Sequence, residues 1–408
     1  MRRLALLSLD YIRPKDPAIP LGIASIIANL NKYSIDHQSL FYNVRQDIDP
    51  DEIVDDVMST NATDVLIGAF IWNEPYVQHI MKKVSPYKRV VIGGPQVSYV
   101  GAGELEAYYP EASAFIRGYA EEATVQYAMS RDGCPGIHVA HERDSNVQAN
   151  VRIQDLPSPL TTNVVRPQSF LRWETQRGCP YVCSFCQHRD VTSSGVARIH
   201  KNRIEEELDW LRRSGIDDVA ILDPTFNSDT LHATWIMSQL PKCKVSLQIR
   251  PEKLNRRFLQ AASDSMADIT LEMGVQTLIA DEMELIDRVK GADPRKLVEK
   301  VKEKLKLAEE YNVNKEITLI YGLPRQTMDS FMYTLEWCRT HTTAKVISFP
   351  LMLLRGTPLY YRKEELGLVE GVRYFNDNRR ISDNVPHVIT TPTMTEDDWW
   401  RMREVSEP

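Results

Sequence analysis

Three cysteines stand close together in the chain, at Cys179, Cys183 and Cys186, spaced CxxxCxxC with Phe185 immediately before the last. Thiolates are the usual protein ligands of iron–sulfur clusters. Three of them can hold three irons of a four-iron cluster and leave the fourth iron without a protein ligand. An iron with an open position can bind and activate a small molecule, as an open coordination site does at catalytic zinc. A second chemistry fits the same residues. Zinc takes four ligands, and His188 lies two residues beyond Cys186, so a Cys3His zinc site is the alternative on spacing alone. The other cysteines, Cys134, Cys243 and Cys338, are scattered, suggest no disulfide framework and point to a reducing cytoplasm. The nine histidines are scattered too. No side chain stands out as a general acid or base, and none is assigned as catalytic.

The elements that must position these cysteines read as alternating strands and helices. In the first third, Leu4–Leu9 reads as a buried strand and Pro20–Leu30 as an amphipathic helix with proline at its first turn. Strands follow at Asp36–Tyr42, Asp64–Ile71, Arg89–Ile92 and Ala114–Arg117, with helices around Asp51–Met58 and Tyr76–Lys83. This alternation predicts a doubly wound parallel sheet over residues 1–130, whose ligands would lie beyond the carboxyl ends of the strands. Those ends carry Trp72-Asn73, Gly93-Gly94-Pro95-Gln96 and Gly118-Tyr119-Ala120-Glu121-Glu122. Glycines there allow close approach of backbone to a ligand, although Gly-Gly-Pro alone is a turn signal.

Residues 131–171 have Gly and Pro punctuation and little periodicity, and read as a linker. From 172 to 365, a helix near Ile204–Arg213 is followed by strands at Asp218–Leu222, Lys244–Ile249, Ile269–Met273, Glu316–Tyr321 and Val346–Leu351. With the strand entering the cysteine loop, these make six β/α units. That predicts a partial (β/α)6 TIM-like barrel with its function at the carboxyl ends of the strands. Residues 366–408, including Tyr374-Phe375-Asn376 and Trp399-Trp400, are too few for another large domain and read as a cap. The aromatic pair reads first as core packing.

At 408 residues the chain is long enough for two or three domains. Its net charge of −7 gives no electrostatic footprint for nucleic acid or an anionic membrane. No apolar run approaches the ~20 residues of a membrane span. The start, MRRLALLSLDYIRP, mimics a signal peptide only until Asp10 and reads better as a first strand.

The segment Cys179-Pro180-Tyr181-Val182-Cys183-Ser184-Phe185-Cys186 resembles the cluster loop of radical S-adenosylmethionine (SAM) enzymes, and the resemblance continues for nearly two hundred residues downstream. It favours the iron–sulfur reading over zinc. It implies a [4Fe–4S] cluster on Cys179, Cys183 and Cys186 whose free iron chelates SAM, with Phe185 at the family's aromatic position. Residues at successive strand ends would then contact SAM: Asp223 and Thr225, Arg250, Glu272 and Gln276, and Ile320. Any one of them alone would read as a turn or an ion pair. Pro20-Leu21-Gly22, Gly93-Gly94-Pro95 and Arg117-Gly118 resemble the cobalamin-binding domain that precedes many such barrels. The resemblance implies cobalamin near Trp72, Gly94, Pro95, Gln96, Gly118 and Glu121. The DxHxxG motif that supplies a cobalt-ligating histidine elsewhere is absent, and Asp36-His37 is too early and too strand-like to serve. Cobalamin would therefore bind without a protein histidine.

The function so implied is reductive cleavage of SAM to a 5′-deoxyadenosyl radical, followed by cobalamin-dependent C-methylation of a small molecule. The electron would come from an external donor such as flavodoxin or ferredoxin. A non-methylating radical reaction, or a non-enzymatic cluster- or corrin-binding sensor, are the alternatives.

Overall fold

The computed structural model describes residues 2–46, 48–188, 195–289, 291–373 and 385–406. The chain divides into two compact units at Pro167/Gln168, with Val385 counted in the first.

The first unit runs β1 (Leu4–Asp10), α1 (Leu21–Lys32), β2 (His37–Asn43), α2 (Pro50–Ser59), β3 (Asp64–Gly68), α3 (Glu74–Val84), β4 (Arg89–Gly93), α4 (Pro95–Ser98), α5 (Leu105–Tyr108), β5 (Ala114–Ile116), α6 (Ala120–Ala128) and β6 (Ile137–Val139). The strands form one sheet in the order β2-β1-β3-β4-β5-β6, parallel except for the last pair. Strand side chains alternate between faces, and here both faces are apolar. Ala5, Leu7, Leu9, Val65, Ile67, Val90 and Ile92 pack with α2 and α3 on one side. Leu4, Leu6, Leu66, Val91, Ala114 and Ile116 pack with α1 and α6 on the other. Helices thus cover both faces, and the winding reverses between β1 and β3, where such sheets place ligands.

The stretch expected as a linker is in part a piece of this unit. Strand β6 pairs antiparallel with β5, Ile116 facing Ile137. Asp144 accepts from the buried Arg117 guanidinium at 2.5 Å, and Ala149 exchanges backbone hydrogen bonds with Arg117 and Tyr119. A three-residue strand is too short to show a period of two, which is why the sequence pattern missed it.

The second unit contains β7 (Phe170–Trp173), β8 (Gln176–Arg177), β9 (Ala197–Arg198), α7 (Lys201–Ser214), β10 (Asp218–Ile221), α8 (Thr230–Gln239), β11 (Lys244–Ile249), α9 (Arg256–Ser263), β12 (Asp268–Gln276), α10 (Ala280–Leu285), α11 (Pro294–Ala308), β13 (Asn314–Tyr321), α12 (Met328–His341), β14 (Lys345–Pro350), α13 (Pro358–Tyr361), β15 (Val369–Val372), β16 (Pro386–Thr390) and α14 (Glu396–Val405). Six parallel strands stand in strictly sequential order, β7-β10-β11-β12-β13-β14. Sequential parallel strands with same-handed crossovers place every helix on one face. Along β12 the burial alternates accordingly: Ile269, Leu271, Met273 and Val275 are buried, while Thr270, Glu272, Gly274 and Gln276 are half-buried on the other face.

Helix α14 is capped by Thr395 and Asp398 and buries Trp399 completely, edge-on to Tyr321 at 5.5 Å between ring centroids. Trp399 is a core residue, as expected of the pair, whereas Trp400 is 38% exposed and is not. Tyr374, Phe375 and Asn376 lie outside the described residues. Among those described, no helix is long and apolar enough to cross a membrane.

Candidate functional site

The cysteine loop leaves β7 and is held at both ends by backbone and side-chain partners. At its entrance the Asp223 carboxylate, fully buried beyond β10, accepts the N–H groups of Thr175 (2.8 Å) and Gln176 (3.1 Å) and the Thr175 hydroxyl. Burial pushes this carboxyl up to about 7 against those three donors. Gly178 turns the chain at φ 91°, where a Cβ would come within 2.6 Å of the Gly195 carbonyl oxygen. Within the loop, Ser184 donates its N–H to Ile286 O and accepts at its own carbonyl from Leu359 N–H, each at 3.0 Å. Phe185 packs against the apolar cluster that includes Leu323, Leu351, Leu353 and Leu359, as does Ile320. These contacts fix where the cysteines sit without using the thiols.

Of the three cysteines, Cys183 is buried, and Cys179 and Cys186 are partly so. Burial pushes the Cys186 thiol up to about 12, although the His188 N–H donates to it at 3.4 Å. A metal must displace that proton, so ligation would release it. Thr225 lies with its hydroxyl 3.5 Å from Cys179 Sγ, and its carbonyl accepts from Gln176 Nε2 at 2.8 Å. Among the described residues, no three His, Cys, Asp or Glu side chains are gathered so as to hold a single metal ion.

Arg250 lies against the loop from the end of β11. Its Nη1 donates to Cys183 Sγ at 3.6 Å, its Nε to Glu252 at 2.5 Å and its Nη2 to the Arg288 carbonyl at 3.1 Å. The guanidinium stacks over the Tyr181 ring at 3.6 Å. Burial would lift the Glu252 carboxyl, but Arg288 and Arg250 outweigh it and hold it below the usual range. Asn227, which sequence reasoning did not single out for a role, clamps this strand end by exchanging two hydrogen bonds with the Arg250 backbone, at 2.9 and 3.0 Å. Its signal was only its place beside Thr225. Gln176 was missed in the same way.

The expected SAM residues therefore separate into two sets. Asp223 and Arg250 spend their hydrogen-bonding groups on the protein around the cysteine loop. Glu272, Gln276 and Ile320 lie instead on the sheet face away from the helices, where the register sets Glu272 between Gln248 and Glu316. Gln276 ends β12 at a bulge with φ 65°, and its buried Oε1 has no hydrogen-bond partner. A non-glycine residue in that conformation at a strand end is strain that a ligand can justify. This half-buried polar face, beside the cysteine loop, fits a polar cofactor.

In the first unit, Trp72, Gly94, Pro95, Gln96 and Gly118 gather past the carboxyl ends of β3, β4 and β5, as expected. Gly94 (φ 89°) and Gly118 (φ 81°) are also demanded by packing: a Cβ would stand 2.7 Å from Ala69 O and 2.4 Å from Ala149 O respectively. Their glycine signal thus comes from backbone crossing backbone. Glu121 accepts from Ser25 at 3.1 Å and offers its carbonyl to Asn29 at 3.0 Å, so it joins α6 to α1. Asn73, fully buried, bridges Leu9 O, Gly68 O and Phe70 N–H and fixes the turn after β3. Trp72 stacks on Phe70 at 4.5 Å with its buried Nε1–H unpartnered. His37 opens β2 at the opposite edge of the sheet, and His79 and His138 are held by Asp51 and Glu106.

A sheet of sequential parallel strands with a three-cysteine loop after its first strand defines a class. Residues 173–338 match the family described as the radical SAM superfamily. The cofactors that this match implies are a [4Fe–4S] cluster and SAM. Among characterised relatives, the chain is 27% identical over 313 residues to the cobalamin-dependent radical SAM methyltransferase TokK of Streptomyces tokunonensis, covering 66% of this chain and 44% of that one. It is 26% identical to the 2-(S-pantetheinyl)-carbapenam-3-carboxylate methyltransferase of Streptantibioticus cattleyicolor, over 69% of this chain and 46% of that one. The matches thus span less than half the length of these relatives. The solved structure of the radical SAM methyltransferase TsrM from Kitasatospora setae, with cobalamin and a [4Fe–4S] cluster bound, superposes with a TM-score of 0.70 at 14% identity. It covers 94% of this chain and 84% of that one, a likeness of fold.

Proposed function

We propose that this chain is a cobalamin-dependent radical SAM enzyme that methylates a carbon of a small-molecule substrate. In this reading residues 1–130 form a cobalamin-binding Rossmann-like domain, 172–365 a partial (β/α)6 barrel and 366–408 its cap. The observation that carries the corrin half is the unpartnered indole N–H of Trp72 at the winding reversal. The likeness to cobalamin-dependent methyltransferases supports the same reading.

Cys179, Cys183 and Cys186 would hold the cluster, with Asp223 fixing the loop entrance and Arg250 donating to the Cys183 thiolate. Glu272, Gln276, Thr225 and Ile320 would contact SAM, Gln276 through its unpartnered Oε1, while Phe185 seats the loop on the apolar wall beside them. Bound there, the cluster and SAM would supply a substrate-activating radical, and cobalamin a transferable methyl group. The half-buried face would orient the cofactor and exclude water from it.

Corrin content tests the proposal. Protein expressed anaerobically with cobalamin and reconstituted with iron and sulfide is expected to carry near-stoichiometric corrin by absorbance and mass spectrometry. Turnover should yield S-adenosylhomocysteine together with a methylated product. A corrin-free protein that still cleaves SAM would overturn the methyl-transfer reading.

A further inference from the structure

Outside the half-buried face, the second unit has a cavity of about 490 Å³ on the flank of the cysteine loop. Arg250, Lys253, Arg288, Lys300 and Lys304 line it, and Glu252 is the one acid among the lining residues. That acid is committed to Arg250 at 2.5 Å and lies beside Arg288. Lys253 and Lys300 are exposed, and Lys304 is tethered to Glu303 at 3.0 Å. A chain of net charge −7 thus gathers cations around one concavity. Tyr181, which belongs to the cysteine loop, also lines that concavity. Tyr181 stacks on Arg250, and Arg250 donates to Cys183 Sγ at 3.6 Å. The path from the basic rim to a cluster-ligating sulfur therefore crosses one stacked pair.

We propose that this cavity is the docking point of an acidic one-electron donor protein, through which the cluster is reduced. The proposal rests on the radical SAM reading above, since only a cluster that must be reduced needs such a partner. In the step itself the donor is oxidised by one electron, the cluster is reduced from the 2+ to the 1+ state, and no bond forms or breaks. Complementary charge steers such encounters and makes their rate fall with ionic strength. Arg250 and Arg288, buried behind the rim, keep the potential positive where the electron enters.

The test uses reconstituted full-length protein and its Lys253→Glu/Lys300→Glu/Lys304→Glu variant, with Lys300→Glu alone as a milder second variant. Cluster reduction is followed by stopped-flow absorbance with reduced flavodoxin and, separately, with photoreduced deazaflavin, a small uncharged reductant. The triple variant is expected to lose at least tenfold in the flavodoxin rate constant at low salt and to lose the wild-type salt dependence, with Lys300→Glu in between. Deazaflavin reduction and deazaflavin-driven SAM cleavage should be unchanged. An unaltered flavodoxin rate in both variants would overturn the docking site. Failure of the wild type to cleave SAM with deazaflavin would instead overturn the radical reading on which it depends.

Discussion

At the scale of single residues, the carboxylate that the sequence offers as a cofactor contact is better placed as a brace. Asp223 has three donors around its two oxygens and no exposure. Its carboxyl is raised to about 7 from an ordinary value near 3.8. An acid raised on folding binds its proton in the native state while the unfolded chain has released it. Its contribution to stability is therefore full below about pH 4, falls as pH rises through about 7, and is flat above. The limiting slope is about 1.4 kcal/mol per pH unit. Asp223→Asn, which keeps an acceptor for the two N–H groups, should flatten that slope. Denaturant unfolding at pH 5.5 and pH 8 measures it, and an identical pH response in both proteins would reject the assignment. Asp223→Ala leaves buried donors unpaired, at about 1–3 kcal/mol, and iron retention should fall with it. The motif CxxxCxxC was legible because its meaning lies in spacing along the chain. The partners of Asp223 and the contact of Arg250 with Cys183 were not, because they span 47 residues or more in sequence and nothing local encodes them.

At the scale of elements, strands and helices of ordinary length were legible from periodicity, because each buries one stripe or both faces of a strand. The register of β1 with β3 and of β12 with β13 follows from those apolar sets. What escaped were elements held by polar contacts. The segment after β6 looked featureless, yet it delivers Asp144 to Arg117, whose guanidinium also donates to the carbonyls of Val97, Val100 and Gly101. Both members of that ion pair are nearly fully buried, with side-chain exposures of 1% and 4%. Removing one partner of a buried pair costs about 3–5 kcal/mol, since the other charge is left without compensation. Asp144→Ala should therefore destabilise the first unit by that order and loosen the turn after β4 that carries Pro95 and Gln96. A loss below about 1 kcal/mol in chemical denaturation would mean that the segment is a linker after all. Surface pairs such as Arg152 with Asp155, 83% and 60% exposed, give the contrast: Asp155→Ala is expected to change little.

For the whole molecule, each unit has its own core, and the proposed function gives each its own strand-end site. The first unit offers a place at its winding reversal where Gly22, on the first turn of α1, is open: a Cβ there meets nothing within 4 Å. Gly22→Ala should thus leave folding within about 1 kcal/mol of wild type. It should still lower corrin retention if the macrocycle approaches that backbone, because a methyl group would occupy the space of the ligand. The second unit holds Cys183, whose thiol is buried beside Arg250. Cys183→Ala would remove one of the three proposed iron ligands and leave the guanidinium without its sulfur. If the units act as this division implies, the two variants fail in opposite ways. Gly22→Ala loses corrin while keeping about four irons per chain and SAM cleavage to 5′-deoxyadenosine. Cys183→Ala loses iron and SAM cleavage while keeping corrin. Iron assay, corrin absorbance and product analysis on the same preparations distinguish the cases. Loss of both cofactors in either variant would show that the units do not bind independently, and corrin retained at wild-type level in Gly22→Ala would move the corrin site away from α1.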